Sequence, residues 1–256
     1  MEHRGITISA DLYLKKLWED IDGYLATLRS TLRSLEDETF WIKSRQQSPN
    51  VVSHLQLRDL RKAEDIKKAA LRQCFSDMVS SLVDFIDSLI AISNIVSQPV
   101  YLTRNLYSLQ EVEDYILEKL GQDIQDIAQN TKLTKPKKLK RFQGISAFSA
   151  QAVNGYFAIR NSIEHHKSLM SRNATFLTRA FKGIVDGEEI TNLPYAFQAG
   201  QVIEVKAVND RRVIQKGDEI TFAEQELDNL ALSIKHVIAP DLQKMIAKRG
   251  AHTGAS

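Results

Sequence analysis

The chain has 256 residues, a hydrophobic fraction of 43% and a formal net charge of +2. That apolar content is ample for a buried core without cross-links, while so balanced a charge excludes any argument for a polyanionic partner from net charge alone. One cysteine, Cys74, excludes an intramolecular disulfide, fits a reducing compartment and reads as a small buried hydrophobe within the apolar run Leu71 to Phe75.

The start, Met1-Glu2-His3-Arg4-Gly5-Ile6, lacks the apolar stretch of a secretory signal. The most apolar window, Met78 to Val96, is interrupted by Asp84, Asp87 and Asn94, which are costly in lipid, so it is not read as a membrane span. The expected location is cytoplasmic, with no membrane partner.

From Ser9 to Ser44, Leu14, Leu17, Ile21, Leu25, Leu28, Leu32 and Leu35 recur every three or four residues and predict one long amphipathic helix, which Gly23 weakens without ending. Gln47-Ser48-Pro49-Asn50 is the predicted break. A second helix is predicted from Leu57 to Val96, ending near Gln98-Pro99. Ser108 with Glu111 is a capping-box signal that opens a third helix, running to Asn130.

The connector from Thr131 to Arg141 carries Lys132, Lys135, Lys137, Lys138, Lys140 and Arg141 and no acid. Six cations so close together make a local positive field suited to a phosphate backbone, and Phe142 just beyond is placed to stack on a base. The plainer reading is a solvated loop. A fourth helix follows from Ile145 to Ser171.

After Phe181 the pattern changes. Asp186-Gly187 is a turn signal, and Val202–Val208, Arg211–Lys216 and Glu219–Phe222 read as short strands around Asn209-Asp210 and Lys216-Gly217-Asp218. A last helix is predicted from Ala223 to Lys248, kinked or split by Pro240, before a disordered tail. The predicted fold is mainly α: an up-and-down four-helix bundle over residues 1–182, a small antiparallel β element over 183–222, a C-terminal helix over 223–249 packing on either, and a tail over 250–256. No internal repeat points to a solenoid.

The chemistry concentrates near the end of the fourth helix, in Ile159-Arg160-Asn161-Ser162-Ile163-Glu164-His165-His166. Arginine offers a permanently charged fork for phosphate oxygens, and histidine moves protons near neutral pH. The helix's apolar stripe runs through Ile145, Phe148, Ala152, Tyr156, Ile159 and Ile163, so Asn161 and His165, each about 160° from Ile163, face away from the core. Arg160 lies about 140° from His165, so the arginine must swing or a second copy of the helix must contribute. The plainer reading is a solvated face on which Arg160 pairs with Glu164 at i,i+4.

This segment resembles the HEPN superfamily, helical bundles bearing an Arg, then four to six residues, then His, often with a polar residue directly after the arginine. Arg160, Asn161 and His165 fill those places. The resemblance covers residues 9 to 180 in architecture and about eight residues in motif. It implies a metal-independent endoribonuclease, without cofactor, whose cleft is shared by two protomers of a homodimer. It further implies a toxin or antiviral-defence effector restrained by a regulatory or antitoxin protein. In that reading His165 is general base or acid, Arg160 holds the scissile phosphate and Asn161 orients the histidine or binds phosphate. Glu164 and His166 are accessory, and the basic connector binds RNA. Some relatives only bind nucleotides or a regulator. The competing expectation is therefore a non-catalytic helical interaction or nucleotide-binding module.

Asp84 and Asp87, three apart, read as solvated carboxylates or partners of a neighbouring arginine rather than a cation site, and no metal is predicted. His54 and His236 carry no assignment. No Gly-rich phosphate loop, paired Cys motif or Gly-x-Ser-x-Gly elbow occurs.

Overall fold

The computed structural model describes residues 10–36, 60–97, 109–130, 132–142, 144–189, 200 and 202–244. The elements are α1 (Asp11–Glu36), α2 (Leu60–Ser97), α3 (Leu109–Gln129), α4 (Lys135–Leu139), α5 (Ala147–His165), β1 (Ala174–Val185), β2 (Glu188–Glu189), β3 (Ile203–Ile214) and α6 (Glu224–Ser233). A π-helical turn, Ile234–Ile238, continues α6 into a helical stretch over 239–244. The protein is mainly helical with a small three-stranded antiparallel sheet of order β2-β1-β3. The predicted break at Gln47–Asn50, the Ser108 capping box, His54 and the tail from Gly250 lie outside the described residues.

Internal contacts divide the chain into two compact units: Met1–Asp22 with Asp77–Ala150 and Lys235–Ser256, and Gly23–Ser76 with Gln151–Ile234. In the first, Leu17 and Ile21 of α1, Met78, Leu82, Phe85, Ile86, Leu89 and Ile92 of α2, and Leu120 and Ile127 of α3 are buried. Their three- and four-residue spacing is what the periodicity predicts, and each full burial stabilises by roughly 1.5–3 kcal/mol before entropy is charged. By length and composition, Ala63–Ile95 of α2 is apolar enough to cross a membrane, but 72% of its most apolar window is buried inside the structure.

Also in this unit, Ser146 caps α5. Its Oγ accepts the Ser149 N–H at 3.2 Å, and its own N–H donates to Asp241 Oδ2 at 2.9 Å. Burial pushes the Asp241 carboxyl up, but hydrogen bonds from Ser146 and Ser149, helped by Lys244, outweigh it and leave the carboxyl below its ordinary value. Pro240, predicted to kink or split the last helix, stands two residues past the π turn Ile234–Ile238, which interrupts the regular helix just before it. A proline lacks the N–H that a helix needs and crowds the preceding turn, and one widened turn relieves both.

The second unit is built on an aromatic cluster. Phe75 stacks on Phe222 (centroids 4.6 Å apart), and Tyr156 and Phe176 complete it at 5.5–6.3 Å. The Tyr156 hydroxyl donates to the Leu177 carbonyl at 2.5 Å, and burial pushes its phenol well up. Arg212 lies over the Phe176 and Phe222 rings at 5.6 and 5.7 Å, while its Nη2 donates to the Thr221 carbonyl.

β1 and β3 pair along their whole lengths, from Ala174↔Ile214 to Val185↔Ile203. Asp186 and Gly187, with φ of 51° and 88°, make the two-residue hairpin turn into β2 that the Asp-Gly signal predicts. Three features depart from the sequence pattern. Glu219–Phe222, predicted as a strand, makes only a single bridge, from Glu219 to Leu169. β1 begins at residue 174 and crosses the 182/183 boundary, within a stretch assigned to the helical segment. β3 runs unbroken through Asn209 and Asp210, where a turn is predicted, because pairing with Thr178 and Arg179 holds them extended; Arg179 Nε donates to Asn209 Oδ1 at 3.2 Å.

Candidate functional site

α5 ends at His165, six residues before the predicted Ser171, and the two residues after His166 explain it. Lys167 and Ser168 have φ of 51° and 62°, a left-handed conformation that no α-helix continues. The exit is tied from both sides. Ser162 Oγ accepts the Ser171 N–H at 3.1 Å, and the Ile220 N–H donates to the Ser168 carbonyl at 2.9 Å. The candidate residues therefore occupy the last turn and a half of a helix whose end is pinned to the sheet segment.

Upstream, Gly155 sets how closely that helix lies on β1. A Cβ built there falls 1.9 Å from the Thr175 carbonyl oxygen, so only glycine allows the approach.

On this frame Asn161, Glu164, His165 and His166 are exposed, and Ser162 is buried. Ile163 is half-buried, so Asn161 and His165 face away from the apolar stripe, as the helical angles predict. The Arg160 side chain, 19% exposed, reaches Glu164 with Nη2–Oε1 at 2.7 Å, while its Nε is buried with no hydrogen-bond partner. His165 Nε2 lies 3.9 Å from the other oxygen, Glu164 Oε2. One carboxylate thus stands between the two side chains of the motif, with an oxygen toward each. The angular separation of Arg160 and His165 is bridged by the residue between them.

The basic connector is only partly a surface patch. Lys132, Lys137, Lys140 and Arg141 are exposed and Lys135 is half-buried. Lys138 is a correction: it is 5% exposed, and its Nζ lies 2.7 Å from Asp87 Oδ2. Its place on α4, beside buried Leu139, turns it inward. Phe142 is likewise buried, not poised for a base, because an aromatic ring next to Leu139 gains more from leaving water. Asp87 is correspondingly no solvated carboxylate: burial pushes it above its ordinary value, and Lys138 pulls it only part of the way back.

The Arg160–Glu164 pair is the one that the i,i+4 spacing offers, while the approach of His165 to the same carboxylate depends on rotamers. Two further features had no usable signal in the sequence. The Lys138–Asp87 pair joins residues 51 apart. His236, left unassigned, packs its ring 5.5 Å from Trp18, beside Lys235 paired with Asp22. Among the described residues, no group of three or more His, Cys, Asp or Glu side chains is placed to hold a metal ion.

No protein-family model, curated protein or solved structure matches the chain.

Proposed function

We propose that the protein is a HEPN-like, metal-independent endoribonuclease that acts as a cytoplasmic homodimer, with Arg160, Asn161 and His165 as its catalytic set. The observation that carries the reading is the position of Glu164, whose two oxygens lie 2.7 Å from Arg160 Nη2 and 3.9 Å from His165 Nε2. A guanidinium and an imidazole that reach opposite oxygens of one carboxylate also reach opposite oxygens of one phosphate. The exposure of His165 and Asn161 leaves that place open to a chain of nucleotides. In this reading α1, α2, α3 and α5 are the four helices of an up-and-down bundle.

The chemistry follows from the groups. His165 takes the proton of a ribose 2′-hydroxyl, the 2′-oxygen attacks phosphorus, and the bond to the 5′-oxygen breaks, that oxygen receiving a proton in turn. The products are a 2′,3′-cyclic phosphate and a 5′-hydroxyl. Arg160 stabilises the charge gathering on the non-bridging oxygens, after the phosphate displaces Glu164. Lys132, Lys135, Lys137, Lys140 and Arg141 draw the RNA in. A second protomer supplies the partner of each group across a two-fold axis. A toxin or defence role under a regulatory protein fits such an activity.

The Arg160–Glu164 contact also favours a second reading, a non-catalytic helical interaction or nucleotide-binding module. There, the arginine is simply satisfied by its i,i+4 neighbour. Cleavage of labelled RNA in chelator, across a pH range, separates the two. The enzyme reading expects cleavage that stops when the scissile 2′-hydroxyl is replaced by hydrogen, and that falls on the order of a hundredfold in Arg160→Ala and His165→Ala. Intact RNA under all these conditions leaves the interaction module.

A further inference from the structure

We propose that β3 is the docking edge for a second copy of this chain, the two β3 strands pairing antiparallel about a two-fold axis at Val208, so that Lys206 of each copy meets Asp210 of the other. β3 is 12 residues long and pairs with β1 on one side over its whole length. It stands at the end of the sheet order β2-β1-β3, so among the described residues no strand covers its outer side. In an antiparallel ladder alternate residues turn their N–H and C=O groups outward, and that open row invites another strand. Proteins usually keep such edges short or break them with a bulge, yet the register with β1 runs without interruption from Ile203 to Ile214.

The side chains along this edge divide by face. Ile203, Val205 and Val213 share one face and are between 46% and 69% exposed, more apolar surface than a solvated strand requires. On the other face Glu204, Lys206 and Asp210 are exposed and Val208 is half-buried.

Charge selects the occupant. A two-fold axis normal to the sheet keeps every residue on its own face, so a residue meets only itself or one an even number of positions away. With the axis at Val208, Lys206 meets Asp210 twice over, Glu204 meets Arg212, and Ile203 meets Val213. Arg212 already holds Glu226 at 2.9 Å, so the two Lys206–Asp210 contacts carry the charge argument. An axis at Ala207 would set Glu204 against Asp210, and one at Asn209 would set Lys206 against Arg212. At Lys206, Asp210 or Arg211 it would set that charge against its own copy. Every placement from Lys206 to Arg211 except Val208 therefore opposes like charges. Docking of an unrelated partner does not require a strand to complement itself. The interface does not rest on the RNA-cleavage reading, since no residue of the Arg160/His165 segment lies on β3.

The test is sedimentation velocity of the full, RNA-free chain over a concentration series, with Lys206→Glu, Asp210→Lys, the two combined, and an equimolar mixture of the two single variants. The expected result is reversible self-association of the wild type that each single variant weakens about tenfold, because both symmetry-related contacts turn repulsive together. The combined variant regains wild-type association. The mixture associates more tightly than either single variant alone, since one chain then offers two acids and the other two bases at the facing positions, a response that only pairing at this edge produces. Both positions are exposed, so circular dichroism stays that of the wild type in every variant. A wild type that stays monomeric, single variants that associate as it does, or a combined variant and a mixture no better than the single variants overturns the proposal.

Discussion

Gly155→Ala tests whether the approach of α5 to β1 is as tight as it looks. In an open helix the change is favourable, by about 1 kcal/mol, because alanine loses less backbone entropy and shields the helix. At this position the new methyl meets the Thr175 carbonyl oxygen at 1.9 Å, and even a contact of 3.0 Å is one that real Cβ atoms essentially never go below. Helix and strand must therefore part by about 1 Å. That strains the Tyr156–Leu177 hydrogen bond one residue along and loosens the packing of Tyr156 and Phe176. Overpacking of this kind costs typically about 1–3 kcal/mol, which outweighs the propensity gain. Gly23→Ala and Gly121→Ala are internal controls, since nothing lies within 4 Å of either added Cβ. Urea unfolding followed by circular dichroism should show Gly155→Ala less stable by about 1–2 kcal/mol and the two controls unchanged or more stable. If Gly155→Ala matches the controls, the close approach is wrong, and with it the placement of the helix end that carries Arg160 and His165.

The buried pair gives a second expectation. Lys138→Met leaves Asp87 uncompensated and costs about 3–5 kcal/mol in urea unfolding, whereas Lys138→Met with Asp87→Asn recovers most of that loss; equal loss in both contradicts a coupled pair. Asp241 is depressed in the folded state, so it contributes stability above its unfolded value of about 4, and that contribution disappears as pH falls through the lower folded value. The stability gap between the wild type and Asp241→Asn should therefore be constant near neutrality and close below about pH 4; a gap that widens on acidification refutes the cap. If the exposed connector gathers RNA, removing Lys137 and Lys140 should flatten the plot of log affinity against log salt by about 0.7 per lost phosphate contact on single strands, while Lys138→Met leaves the slope alone.

Periodicity made the helices legible. Leu17, Ile21, Leu25, Leu28 and Leu32 are all buried along α1, and the same pattern marks α2 from Leu71 to Ile95. The Asp186-Gly187 hairpin turn was legible because its φ angles demand those residue types. β1 was not. Its run Phe176-Leu177-Thr178 is buried at all three positions, so it lacks the alternation by which a strand is read, and no proline or glycine separates it from α5. The turn signal at Asn209-Asp210 misled for the converse reason: local preference yielded to a ladder twelve pairs long.

At the candidate site the sequence settled which residue types stand at the end of α5 and which face of the helix they occupy, because 3.6 residues per turn leaves little freedom. It could not settle which charges are spent on partners. Arg160 and His165 flank one carboxylate, and Lys138 is withdrawn from its basic run to a carboxylate on α2. Those outcomes belong to the tertiary structure, since the energy of a charge depends on what surrounds it in space, and burial and opposite charge arrive from residues distant along the chain.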